Sequence, residues 1–298
     1  MESPDRVGYA TPKDFDRALT DRIALAATTA PYRVPQLRRQ FAYGRLLARV
    51  FLHGPERWVL KGATGLLARI PGRARHSMDV DLYFSGTPEE AIGDLQDAVD
   101  ADLGDFFSFD IAPGVALSGV TTGRVLRVTA YLGDKIFETF PVDVVVTHTM
   151  TTQPDVTPPI ELFEVPGLQS TSYRTYPISD QIADKYSAIV STYSGRPSTR
   201  YRDLVDLVVI ARTQPVEARL LSKALSSEHR RRGIASDEPL KLPSAAWREG
   251  YAKIASTAPN FPPLDADGAI ELVRRLVEPI AAGRVNGEWN PMTLTWDA

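Results

Sequence analysis

Apolar residues in the first fifty positions recur every three or four residues, the spacing of helices that bury one side. Residues 11–29 read as a helix: Thr11 can cap it, Pro12 suits its first turn, and Asp14 follows three residues after the cap. Pro31 and Pro35 interrupt the chain. Pro35 opens a second helix to about His53, with Leu37, Phe41, Leu46, Leu47, Val50 and Phe51 on one stripe. Both helices are expected to cover a core. Arg33, Arg38, Arg39, Arg45 and Arg49 give the second a basic polar face, a solvated surface or part of a phosphate-binding one. The period then changes. Residues 58–60 form a short apolar run, 63–70 are helix-like, and 79–84 read as strand after a basic loop with Arg69, Arg73, Arg75 and His76. Thr87-Pro88-Glu89-Glu90 combines a cap, a first-turn proline and a Glu three residues on, which predicts a helix to about Leu103. Strand-like runs follow at 106–112, 124–132 and 136–146, the last with an expected break at Pro141.

Residues 147–177 are rich in Pro and Thr and carry short strand signals at 162–165 and 172–176. From Ile178 the pattern is helical, over 179–193, 199–213, 215–227, 243–256 and 266–282. The tail, 283–298, holds Trp289 and Trp296 and is expected to pack back on the body. The division this suggests is a mixed region, 1–165, and a mainly helical region, 166–298.

Composition removes several chemistries. Of 298 residues 43 % are hydrophobic and 24 % charged, as in ordinary globular domains. The absence of cysteine excludes disulfides, thiol catalysis and cysteine-based zinc sites. The four histidines, His53, His76, His148 and His229, are too scattered to suggest a histidine metal site. No apolar run is long enough to span a membrane, and the first residues lack a signal peptide's apolar core, so a cytoplasmic location is expected. The net charge of −3 means that any polyanion site must come from local clustering. Such clustering occurs between Lys185 and Arg232, where ten Lys/Arg face four Asp/Glu and the run closes with Arg230-Arg231-Arg232. It is a solvated charge run or an RNA-facing surface.

The informative residues are polar ones in apolar settings. Asp79 and Asp81 alternate within a strand-like run and so share a face. Adjacent carboxylates repel, and a hard divalent cation relieves that conflict, although such a pair on an exposed sheet face is also common. Asp143 interrupts the β-branched run 142–146 and is either a strand-end acid or a third member of the cluster. Ser77 shares the face of Asp79, as a local hydrogen-bonding hydroxyl or a point of control. A phosphate there would set about −1.5 to −2 charges against the carboxylates. Lys185, between Ile182 and Ile189, lies on the core side of its helix, where it either snorkels to the rim or reaches a phosphate. Asp203 and Asp206 are neighbours one turn apart, either first-turn acids with arginine partners or part of a site.

In order, Leu60-Lys61-Gly62, Ser77-x-Asp79-x-Asp81-Leu82, a later strand Asp143, Asp184-Lys185 and Arg200-x-Arg202-Asp203-x-x-Asp206-Leu207 resemble the AbiEii/AbiGii-type nucleotidyltransferase toxins. The similarity is greatest to their MenT group and covers about residues 35–215. The resemblance implies an α+β fold: a polymerase β-like nucleotidyltransferase core with a mixed sheet flanked by helices, plus a C-terminal helical region, bilobed overall. It implies Mg²⁺ (or Mn²⁺) on Asp79, Asp81 and Asp143, and nucleotide contacts from Lys61, Gly62, Thr64, Ser77, Lys185 and Arg202. Asp203 and Asp206 would join Asp79, Asp81 and Lys185 in catalysis. Ala63 stands where the family has Gly or Ser. The implied activity is transfer of NMP from an NTP to RNA, with the tRNA 3′ end the leading acceptor, blocking aminoacylation and translation. The implied partner is a cognate antitoxin of the kinase-like kind, with Ser77 the residue it would phosphorylate. Transfer to a protein hydroxyl, a small-molecule transferase, and a non-catalytic RNA- or partner-binding relative are the competing readings.

Overall fold

The computed structural model describes residues 8–117, 122–146, 150–192, 195–234 and 240–297. His148 and the expected helix end at residue 193 lie outside them. The chain forms two compact units. Unit 1 comprises Met1–Gly72, His76–Thr149 and Asp155–Thr175; unit 2 comprises Arg73–Arg75, Met150–Pro154 and Tyr176–Ala298.

Unit 1 begins with α1 (Pro12–Ala26), capped as expected by Thr11 Oγ1, which accepts from Asp14 N at 3.2 Å. It is followed by α2 (Val34–His53), β1 (Trp58–Lys61), α3 (Gly62–Arg69) and β2 (Val80–Phe84). Next come α4 (Pro88–Val99), β3 (Phe107–Ala116), β4 (Gly123–Leu132), β5 (Lys135–Val145), β6 (Asp155–Thr157) and β7 (Tyr173–Thr175). The seven strands make one mixed sheet in the order β3-β4-β5-β2-β1-β7-β6. β2 runs parallel to β5 and antiparallel to β1. Burial alternates along β2: Val80, Leu82 and Phe84 are buried, while Asp81 and Tyr83 on the other face are half-buried. Helices α2 and α4 pack on each other and on β5.

The strand signal at 162–165 is not realised; the outer partner of β7 is β6 instead. The expected helix to Leu103 stops at Val99. Asp102 Oδ1 accepts from Gly104 N at 2.8 Å, and Gly104 takes φ +66°, which turns the chain. Pro141 does not break β5. It pairs with Arg127 of β4 one residue before the ladder with β2 begins at Val80–Val142. β5 is laddered on one side there, so a missing N–H is tolerated.

The basic face expected of α2 is half correct. Arg45 and Arg49 are 4 % and 0 % exposed and close on Asp105. Arg45 Nε donates to Asp105 Oδ2 at 2.6 Å and Arg49 Nη2 to Oδ1 at 2.8 Å. Burial pushes the Asp105 carboxyl up, but the two guanidiniums outweigh it and hold it below its ordinary range.

Unit 2 contains α5 (Ile178–Val190), α6 (Tyr201–Ala211), β8 (Val216–Glu217), α7 (Ala218–Arg232), α8 (Trp247–Ala255) and α9 (Ala266–Ala281). It ends in β9 (Glu288–Asn290) and β10 (Thr295–Asp297). α6 packs on α5, α8 and α9. The tail does fold back: β9 pairs with β8 and β10, and the fully buried Trp289 donates Nε1–H to the Ala211 carbonyl at 2.7 Å. That strand pairing explains why α7 starts at Ala218 rather than 215. Among the described residues no helix is long and apolar enough to cross a membrane.

Candidate active site

In unit 1, the β-bridge registers bring acids together that sequence spacing only suggested. Asp81 is paired with Asp143 on the neighbouring parallel strand and with Lys61 on the other side. Asp79 lies just before β2. Burial and then the Asp79 charge push the Asp143 carboxyl up to about 6, so the acids act on one another. Among the described residues no three His, Asp or Glu side chains converge as a ready-formed metal cluster. The donor set nonetheless suits a hard cation, which would relieve the like-charge conflict at Asp143. Asp79, Asp81 and Asp143 are the residues that could hold it.

Gly62 fixes the position of Asp81. It takes φ +62° at the start of α3, and a Cβ there would fall 1.7 Å from Asp81 Oδ2. Only glycine leaves room for that carboxylate while adopting the left-handed conformation.

The segment 76–79 is held from several sides. Ser77 Oγ donates to Asp79 Oδ1 at 2.5 Å, and Thr64 Oγ1 donates to the Asp79 carbonyl at 2.7 Å. Tyr43 of α2 donates to the Ser77 carbonyl at 3.4 Å, Gln40 Nε2 and His76 Nδ1 lie 3.0 Å apart, and Arg39 reaches Met78 Sδ. Helix α2, expected from sequence to cover a core, therefore carries a row of residues that hold the segment 76–78 leading into Asp79. Tyr43 is fully buried; burial, which outweighs the lowering by Arg39, together with the charges of Asp79, Glu138 and Asp81, raises its phenol well above the ordinary value. Its helical spacing from Leu46, Leu47 and Val50 makes it look like an ordinary core aromatic, and Gln40 gives no signal at all. Thr64 and Ser77 are 0 % and 1 % exposed, so both hydroxyls face inward.

In unit 2, Lys185, Asp203 and Asp206 form one buried network with Arg75. Lys185 Nζ donates to Asp203 Oδ1 at 2.9 Å and to Asp206 Oδ2 at 2.7 Å. Arg75 grips Asp206 with two parallel bonds of 2.9 and 3.0 Å, and Arg200 Nε donates to Asp203 Oδ2 at 2.6 Å. Burial alone would lower the Lys185 pKa and raise that of Asp206. The opposite charges win: Lys185 is shifted up and Asp206 down. Lys185 is therefore neither at the rim nor unengaged. Arg202, between Arg200 and Asp203 in sequence, is exposed. The arginine run is also largely engaged: Arg231 and Arg232 bond Glu228, and Arg232 Nη2 donates to Asp184 at 2.6 Å.

Comparisons with known proteins bear on the fold and the family. No curated protein matches the sequence. Among solved structures the chain is similar to MenT4, a nucleotidyltransferase toxin of Mycobacterium tuberculosis H37Rv, at 19 % identity and TM-score 0.54, over 90 % of this chain and 98 % of that one. It is also similar to JHP933 of Helicobacter pylori, at 14 % identity and TM-score 0.42, over 82 % of this chain and 96 % of that one. The first likeness supports the fold, a nucleotidyltransferase architecture with a mixed sheet flanked by helices. The family described as the AbiEii nucleotidyl transferase toxins of type IV toxin–antitoxin systems matches residues 45–275. That span takes in Gly62, the three strand acids and the Lys185 network, and the chain belongs to the AbiEii nucleotidyltransferase toxin family.

Proposed function

We propose that this toxin moves a nucleoside monophosphate from an NTP to the 3′ hydroxyl of an RNA, with the tRNA 3′ end the favoured acceptor, and so blocks aminoacylation and translation. The observation that supports it most is the pairing of Asp81 with Asp143 over the Gly62 turn, with Asp79 close enough to act on Asp143. In the reaction the acceptor oxygen forms a bond to the α-phosphorus as the bond to the β-phosphate oxygen breaks and pyrophosphate leaves. Positioning and charge neutralisation dominate such a transfer. Asp79, Asp81 and Asp143 would hold Mg²⁺ (or Mn²⁺), which when bound acidifies the hydroxyl and neutralises charge on the triphosphate. Gly62 and Lys61 would receive the nucleotide phosphates at the start of α3, where backbone N–H groups favour anions. Thr64, Ser77 and Tyr43 keep Asp79 in place. Lys185, Arg75 and Arg200 act with Asp203 and Asp206 as one unit, three cations against two carboxylates, whose excess of one positive charge would favour a polyphosphate, and exposed Arg202 adds to it. Removal of one member of that unit leaves an uncompensated buried charge.

A phosphate on Ser77, delivered by an antitoxin of the kinase-like kind, would repel the substrate phosphates and displace the hydrogen bond to Asp79. Because Ser77 is 1 % exposed, the segment around it must open before a kinase can reach it.

The test is transfer from each labelled NTP to unfractionated tRNA and, separately, to a protein fraction. Label is expected on RNA, dependent on a divalent cation and lost in Asp79→Asn and Asp81→Asn. Label on protein alone would reassign the acceptor. Growth inhibition that persists in both variants would refute catalysis.

A further inference from the structure

We propose that the groove between α7 and α9 of unit 2 is a phosphate subsite that holds one backbone phosphate of the RNA acceptor; the identity of the macromolecule rests on the RNA reading above. The groove has a volume of about 390 Å³, with Ser222, Ser226, His229 and Arg230 along one wall and Ile280 and Ala281 on the other. Ser222, Ser226 and Arg230 repeat every four residues, so they form a single ridge, and all three are exposed. His229 behind them is 6 % exposed, and its Nε2 has no hydrogen-bond partner among the described residues. A buried ring nitrogen without a partner is uncommon and points to a group that completes it.

The donor set selects the ligand. The groove lining contains a guanidinium, two hydroxyls and an imidazole, and no carboxylate. Beside the apolar Leu225, Ile234, Ile280 and Ala281, such a wall offers several donors and one fixed positive charge to an anion and no negative charge to a cation, which suits the tetrahedral oxygens of a phosphate. Arg230 is also the member of its run that remains available. Arg231 and Arg232 are bonded to Glu228, whereas among the described residues Arg230 has no ion pair. The competing explanation is that Arg230 only offsets the negative end of the α7 dipole. That explanation accounts for neither the His229 nitrogen nor the hydroxyl ridge. The basic run therefore does not act as a diffuse positive surface; its contribution to polyanion binding is concentrated at one arginine.

The experiment measures binding of the full chain to unfractionated tRNA over a salt series. Arg230→Ala is expected to weaken binding several-fold and to lower the slope of log affinity against log salt by about one. Ser226→Asp, which sets a carboxylate in the groove, should weaken binding further than Ser226→Ala, and His229→Gln should retain part of the affinity through its amide. Circular dichroism checks that each variant folds. Inorganic phosphate is expected to shift the His229 imidazole NMR signals in the wild type and not in Arg230→Ala. Wild-type affinity and slope in Arg230→Ala would overturn the proposal and leave the dipole explanation. A phosphate response with tRNA binding unchanged would assign the groove to a free phosphate compound and overturn the RNA subsite. If tRNA is never labelled yet the slope still falls in Arg230→Ala, the reading of tRNA as the acceptor fails and the RNA subsite stands. If tRNA is labelled and the slope is unchanged, the subsite alone fails.

Discussion

At Gly62 a single missing side chain decides the position of a carboxylate. Gly62→Ala forces either the left-handed backbone or Asp81 to yield, because the new methyl would fall 1.7 Å from Oδ2. A shift of about 1 Å at a reacting group can cost on the order of 100-fold in rate, so loss of at least that order is expected in the transfer assay, with the chain still folded by circular dichroism. Asp143 gives a second prediction. Its folded pKa of about 6 lies above the ordinary carboxylate value, so its contribution to stability is full at low pH and is lost as pH rises through about 6. A divalent cation favours the ionised carboxylates and reverses that loss. Thermal denaturation should show Mg²⁺ raising Tm more at about pH 7.5 than at about pH 5. An equal or larger effect at the lower pH would exclude Asp143 from the cation site.

The elements show where sequence reading succeeds and where it stops. Helix starts were legible because capping is local: Thr11 with Asp14, and Thr87 with Glu90, lie within one turn. Arg45 and Arg49 were misread as surface because their partner Asp105 lies 60 and 56 residues away, and no periodicity records so distant a pairing. The site was legible in part. Asp79, Asp81, Asp143 and Gly62 stand out by local contrast, whereas Tyr43 acts through the Ser77 carbonyl and Gln40 through the His76 ring, both in another segment, and the two resemble helix core. The Lys185 network was visible only as oddly placed charges. It gives the prediction at this scale. Lys185→Ala leaves Asp203 and Asp206 side by side in the interior, and denaturant unfolding should show a loss of about 3–5 kcal/mol. Lys185→Ala combined with Asp203→Asn is expected to recover part of it, since the repulsion between the two neighbouring carboxylates, which keep only Arg75 and Arg200, is then gone.

For the whole molecule, neither unit is a continuous piece of chain: 73–75 and 150–154 belong to unit 2 although the sequence around them belongs to unit 1. A fragment ending at residue 175 would retain the seven strands of the sheet but carry Arg75 without Asp206. It is expected to be less soluble than the full chain and to unfold at a lower Tm, as measured by sedimentation and circular dichroism.

The same interleaving sets an order of events on the ribosome. Arg75 is made 131 residues before Asp206. At about 5–20 residues per second it waits roughly 7 to 26 seconds for its partner. During that interval the strand acids already exist in a nascent chain whose Lys185 network cannot yet close. A toxin assembled in this sequence completes its buried charges late in its own synthesis, after most of the chain has emerged.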